Sequence, residues 1–399
     1  MHATAVLQKL LRRSIPSIHL KRLNGLVALV GSALHGRHLT LSALARKLDS
    51  SCAIRHRVKR VDRLLGNVRL HQERLLIYRM LCNLLVGGRA EPILIVDWSD
   101  LKPDRSVLLL RASVWVHGFA LPIYEEVHPL RLQNNRQVQR EFLLTLRMLL
   151  GEGVRPIVIA DAGFRSTWFQ EVERLEWHWV GRIRGRTMIL IDGHWQQCKK
   201  LFPKATARPR DLGELPVVRA NSIQVRLVLY RKPAKGRHHL TLSGKVRRSK
   251  LSRKNAARER EPWLIAASPS LSDRAAPDLI KLYRVRMRIE HSFRTLKSHQ
   301  FGFSFEDSQS RHPERIAALL IVHALALFLA WIAGWAAQRV GLYHQLKSNA
   351  NNRQRKTLSI VSLGCLALSL LRMTLTTRHF VTALAAPLAP PPLQSDGRI

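Results

Sequence analysis

Acidic residues are scarce in this chain of 399: 27 Asp and Glu stand against 66 Lys and Arg, a formal net charge of +39. That deficit excludes acidic-loop calcium binders and an ordinary neutral metabolic enzyme. Cysteine is scarce too. Cys52, Cys82, Cys198 and Cys365 stand far apart, with no CxxC pair and no histidine at zinc-finger spacing. A disulfide framework and a structural zinc are excluded, and reduced, buried thiols are predicted. The first residues lack the apolar run before a small-residue cleavage site that a secretory leader needs. Long apolar runs are also few. Residues 316–337 form an uncharged stretch of 22, long enough by length alone to span a bilayer. His323 lies in its middle, Ala and Gly are frequent, and the apolar run at 358–371 is shorter and broken by Ser and Gly. The reading is a helix buried inside a cytoplasmic protein, with membrane insertion as a distant rival.

What is present is a foldable polycation. A hydrophobic content of 46% supports a real core, and at roughly 150 residues per domain the length predicts two to three domains. The partner implied is a polyanion, nucleic acid first and an anionic membrane second.

Residues 1–85 read as helical. Thr40 or Ser42 caps a helix over residues 40–48, a turn follows at 49–51, and residues 53–65 form a second helix. The second carries Arg55, Arg57, Lys59, Arg60 and Arg63 opposite Val58, Val61 and Leu65, a weak likeness to a helix-turn-helix. The texture then changes. Residues 92–96 are a continuous apolar run, the mark of a strand buried on both faces, and it ends on Asp97. Residues 107–116 are a second β-prone run, and residues 133–150 a basic amphipathic helix. Residues 156–160 are another buried strand, delivering Asp161 just before Ala162-Gly163-Phe164. A helix near 167–175 and a strand near 177–183 complete a mixed α/β centre. Residues 186–262 alternate short β-prone runs with charge, and residues 231–261 hold twelve Lys/Arg and two acids, a solvated loop or a phosphate-contacting one. The Pro-rich stretch after residue 385 reads as disordered.

The chemistry concentrates in residues 278–298, read as one helix. At about 100° per residue, Tyr283, Arg286, Glu290 and Lys297 fall at roughly 0°, 300°, 340° and 320°, one narrow face. Leu282, Val285, Ile289, Phe293 and Leu296 form a second stripe suited to packing on a sheet. Taken alone, this is as well explained by a surface helix with Arg286–Glu290 pairing. Two strand-end aspartates alter that balance. Three hard oxygen donors from three elements suit Mg²⁺, which completes its shell with water and substrate phosphate. Two such ions serve in-line displacement at phosphorus.

These motifs resemble those of bacterial insertion-sequence transposases of the DDE class. The spacing Tyr-x2-Arg-x3-Glu-x6-Lys is similar to the signature of the insertion-sequence-four family. The segments around Asp97 (IVDWS) and Asp161 (DAGF) are similar to its two acidic blocks, and residues 59–67 resemble insertion-sequence-ten members in particular. The resemblance runs from about residue 19 to 342. It implies an RNase H-like α/β core with Asp97, Asp161 and Glu290 as catalytic metal ligands, two Mg²⁺ per site with Mn²⁺ able to substitute. It implies that Tyr283, Arg286 and Lys297 hold DNA phosphates, and that Trp263 stacks on a flipped terminal base. The separation of 129 positions from Asp161 to Glu290 implies a β-rich insertion. His291 departs from the second acid that relatives often carry, and the Pro-rich tail has no counterpart.

The expected layout is a helical DNA-binding region at 1–88, core at 89–185, basic β-rich insertion at 186–262, core with the catalytic helix at 263–340, and a helical region with a disordered tail at 341–399. The expected activity is cut-and-paste transposition at terminal inverted repeats, by a homodimer on double-stranded DNA, in a bacterial cytoplasm at the nucleoid. A metal-dependent nuclease without strand transfer and a non-catalytic DNA-end binder are the alternatives.

Overall fold

A computed structural model describes residues 2–233, 249–250, 257, 260–300, 302–346, 358–370 and 375–385. The expected disordered tail, and most of the basic stretch 231–261, lie outside the described residues.

Five helices open the chain: α1 (His2–Ser14), α2 (Leu20–Gly36), α3 (Leu41–Arg46), α4 (Ile54–Leu65) and α5 (Val68–Val86). Polar side chains start three of them. His19 accepts from the Lys21 amide ahead of α2, Thr40 from the Ala43 amide at 3.2 Å ahead of α3, and Asn67 from the Leu70 amide at 3.0 Å ahead of α5. Cys52 corrects one expectation. It is exposed in the α3–α4 turn, while Cys82, Cys198 and Cys365 are buried.

The centre is one ten-stranded sheet in the order β3-β2-β1-β4-β5-β10-β9-β8-β6-β7. Its strands are β1 (Ile93–Asp100), β2 (Val107–Val116), β3 (Phe119–Pro129), β4 (Ile157–Ala160), β5 (His178–Ile183), β6 (Met188–Ile191), β7 (His194–Gln197), β8 (Arg210–Val217), β9 (Ile223–Tyr230) and β10 (Trp263–Ala267). Strands β1, β4 and β5 run parallel and every other pairing is antiparallel. The parallel strands are joined through α6 (Arg136–Leu150) and α7 (Ser166–Arg174). Strands β6 to β9 continue the core sheet, because β10 bonds to β5 on one side and β9 on the other.

The expected single helix at 278–298 is two: α8 (Ala276–Val285) and α9 (Met287–Lys297). At the joint the hydrogen bonds tighten to three-residue spacing, Arg286 N to Tyr283 O at 3.1 Å and Ile289 N to Arg286 O at 3.2 Å. The expected apolar stripe survives the break, since Leu282, Val285, Ile289, Phe293 and Leu296 are all buried. Next comes α10 (Pro313–Arg339), a helix long and apolar enough to cross a membrane, whose most apolar stretch lies entirely buried. It packs on β3, α2 and α12 (Ile360–Leu370), after the short α11 (Tyr343–Leu346) and before α13 (Thr377–Ala385). Helices α10 and α12 cross at two glycines. A Cβ on Gly334 would meet the Ile360 carbonyl oxygen at 1.8 Å, and one on Gly364 the Ala330 oxygen at 1.7 Å.

Candidate active site

The first four residues of β1 are buried and the last four are not, so Asp97 sits where the strand emerges from the core. Its neighbour β4 runs parallel with Val96 opposite Ala160, which places Asp97 and Asp161 at adjacent strand ends. Asp161 is held in a turn, its Oδ1 accepting from the Gly163 amide at 2.7 Å. A Cβ at position 163 would stand 2.8 Å from that oxygen, so a larger residue there would push the carboxylate from its present place. Asp97 Oδ1 accepts from the Trp98 amide at 2.8 Å. Burial, then the charge of Asp161, push the Asp97 carboxyl up to about 8, against the pull of Arg286.

Glu290 joins this pair through an arginine. Arg286 lies 3.6 Å from Asp97 Oδ2 through Nη1 and donates to Glu290 Oε1 at 2.7 Å through Nη2. The Glu290 side chain is 46% exposed, the Asp97 side chain 14%. Among the described residues, no three His, Cys, Asp or Glu side chains group closely enough to hold a metal as they stand. The donor chemistry nevertheless fits a divalent ion. Asp97 and Asp161 are hard oxygen donors near enough for the charge of one to act on the other, and Arg286 holds Glu290 beside Asp97.

The other expected residues divide. Tyr283 is buried and meets the Trp263 ring edge-on, centroids 5.2 Å apart at 82°. Burial raises its phenol, and Arg286 opposes that. Trp263 is only 9% exposed, with Tyr230 beside it and Lys232 and Arg182 over its ring at 5.5 and 5.9 Å. Lys297 is half-buried, and burial lowers its ammonium while Glu306 and Asp100 oppose that. In α4, Arg55, Lys59 and Arg60 are exposed. Arg57 instead is half-buried and donates to the Cys52 and Leu48 carbonyls at 2.7 and 3.2 Å, closing the α3–α4 turn. Asp62 on the same helix pairs with Arg315 of α10 at 2.5 Å. His291 lies between Arg288 and Arg294, and burial with their charges holds its imidazole below its ordinary range, hence neutral near pH 7.

Sequence reasoning passed over a buried trio. Arg111 of β2 donates to Glu125 of β3 at 2.8 Å and to the Ser292 hydroxyl of α9 at 3.0 Å. The available signal was a lone arginine inside the apolar run 107–116.

Residues 88–329, more than half of the chain, match the family described as Transposase DDE domain. No curated protein matches the chain.

Proposed function

The chain belongs to the transposase DDE-domain family, and from that premise we propose that Asp97, Asp161 and Glu290 are its three catalytic acids. Enzymes of this class are metal-dependent polynucleotidyl transferases acting on DNA. The observation that carries the assignment is the meeting of Asp97 and Asp161 at adjacent parallel strand ends, with Glu290 tied to Asp97 through one guanidinium. The strand order β3-β2-β1-β4-β5 supports an RNase H-like core, with β6 to β9 as a basic insertion and the N-terminal helices as a DNA-binding region. We read the family branch as insertion-sequence-four, with insertion-sequence-ten as the nearest likeness, on the spacing of Tyr283, Arg286, Glu290 and Lys297.

In this reading Asp97, Asp161 and Glu290 would hold two Mg²⁺, which would supply an activated oxygen nucleophile and relief of leaving-group charge at phosphorus. To hold such ions Asp97 would have to give up the proton that burial and Asp161 keep on it. Arg286 turns from Glu290 to a DNA phosphate, which frees the glutamate. Tyr283 and Lys297 fix the neighbouring phosphates, and Trp263 accepts an unstacked terminal base once Lys232 and Arg182 move aside. Successive nicking, hairpin formation and opening, and strand transfer then need only water and a DNA 3′-hydroxyl as nucleophiles. Two copies of the chain, in the cytoplasm at the nucleoid, bring two terminal inverted repeats together.

Pre-cut DNA ends carrying a free 3′-hydroxyl, incubated with the full chain, Mg²⁺ and a plasmid target, test this. Joined products support the transposase reading. Nicking without joining points to a nuclease, and binding without nicking to an end-occupying regulator.

A further inference from the structure

We propose that Arg111, together with Glu125 and Ser292, is a positioning unit that sets where Glu290 stands relative to Asp97. The inference rests on the reading of Asp97 and Glu290 as metal-holding acids.

In the sheet register Asp97 lies directly opposite Arg111, and Arg111 directly opposite Glu125. Side chains at directly opposed positions leave the same face, so the three form a row across β1, β2 and β3. Arg111 does not turn to Asp97. Its Nε donates to Glu125 Oε1 at 2.8 Å and its Nη2 lies 2.6 Å from the same oxygen. Tyr78 of α5 donates to Glu125 Oε2 at 3.1 Å. The third arginine nitrogen leaves the sheet and donates to Ser292 Oγ at 3.0 Å, while the guanidinium lies 4.8 Å from the Phe293 ring. Arg111 and Ser292 are both 0% exposed and Glu125 2%.

Ser292 is two residues beyond Glu290. It is the polar residue of the buried stripe of α9, whose other members are Ile289, Phe293 and Leu296. Apolar burial is non-directional; the hydrogen bond from Arg111 to Ser292 adds a directional tie between the sheet and α9. The sheet end of the bond is the residue paired with Asp97. One guanidinium thus connects the strand beside the first acid to the helix of the third. A buried ion pair is a poor way to gain stability, since a well-packed apolar pair of similar volume serves as well or better. Its presence here is explained by geometry.

The test compares three full-length variants: Arg111→Met with Glu125→Leu, Ser292→Ala, and the triple combination. Each is measured for thermal midpoint, for nicking rate at saturating Mg²⁺ on a plasmid carrying the coding frame with its native flanks, and for the Mg²⁺ concentration giving half-maximal rate. Direct Mn²⁺ titration supplies a readout independent of turnover. The double variant is expected to keep a near wild-type midpoint, to lose about ten- to a hundredfold in rate, and to need more metal. Ser292→Ala is expected to show a smaller loss of the same kind. The triple variant is expected to be no worse than the double, because Arg111 acts through Ser292. Wild-type rate and metal dependence in Ser292→Ala, or a triple variant additively worse than the double, overturns the proposal. Should the double variant unfold, Ser292→Ala decides alone. Asp97→Ala, run alongside, separates the two layers: unchanged nicking in that variant removes the active-site reading itself, whereas its loss beside a normal Ser292→Ala removes only the positioning unit.

Discussion

Two arginines hold carboxylates near α9, one beneath the helix and one at its start, and the two arrangements are opposite in kind. Arg111 faces a single carboxylate, Glu125, and the pair is sealed from water, with a phenol on the carboxylate and a hydroxyl on the guanidinium. Arg286 faces Asp97 and Glu290, with Asp161 acting on Asp97, where only the Glu290 end opens to solvent. In a chain of formal charge +39, two carboxylates thus share one guanidinium beside a third acid. The difference teaches where the fold spends its charges on itself and where it keeps them for something that arrives from outside.

The largest expected effect breaks the open cluster. Asp97→Ala, Asp161→Ala and Glu290→Ala are each expected to remove metal-dependent nicking to below detection, while a gel shift on the flanking DNA stays near wild type. Normal nicking by any of them would show that the open cluster is not where chemistry occurs. Breaking the closed pair acts on stability instead. Glu125→Leu alone strands Arg111 as an uncompensated buried charge and is expected to cost about 3–5 kcal/mol in denaturant unfolding.

Asp97→Asn sharpens the contrast, since its sign is opposite. Burial and Asp161 hold the Asp97 proton on up to about 8 in the folded chain, whereas the unfolded chain releases it near pH 4. Between those values the folded state binds more protons, so its metal-free stability falls as pH rises. The asparagine variant is expected to melt higher than wild type at pH 8 without metal, and the gap is expected to close toward pH 4. Mg²⁺ is expected to raise the midpoint of wild type only, and more at pH 8 than at pH 6, because loading displaces that proton. The smallest effect lies outside both clusters. Replacing exposed Arg55, Lys59 and Arg60 with Gln is expected to leave nicking chemistry intact and to flatten the log–log salt dependence of DNA binding by up to about 0.9 per lost phosphate contact.

Much of this was legible in the residues, for identifiable reasons. Residues 92–96 and 156–160 are apolar on both faces, which only a doubly covered strand requires, and each run stops on an aspartate. Helix α6 follows from its period and from Asn135, which caps it by accepting from the Val138 amide at 3.1 Å. Strand β3 was not legible. It contains Pro122 and the pair Glu125-Glu126, which argue against a strand. It survives because it lies at the sheet edge, with Pro122 at the register shift opposite Ser113, and because Arg111 neutralises Glu125. The joint at Arg286 was hidden for a similar reason. Helical spacing put Arg286, Glu290 and Tyr283 on one face, but the local tightening at Arg286 accompanies a contact to a strand almost two hundred residues earlier. The N-terminal basics looked alike in the sequence, and only the turn geometry separates Arg57 from its exposed neighbours.

Strand β10 carries a further consequence. With hydrogen-bonded neighbours on both sides, it ties the strands bearing the two aspartates to β9 and, through β9, to β8 in one continuous ladder. At about 4.8 Å per strand, the four steps from β4 to β8 correspond to roughly 19 Å of sheet. A duplex resting on β8 would be metered against the acids, so the distance from grip to cut would be written in a count of strands.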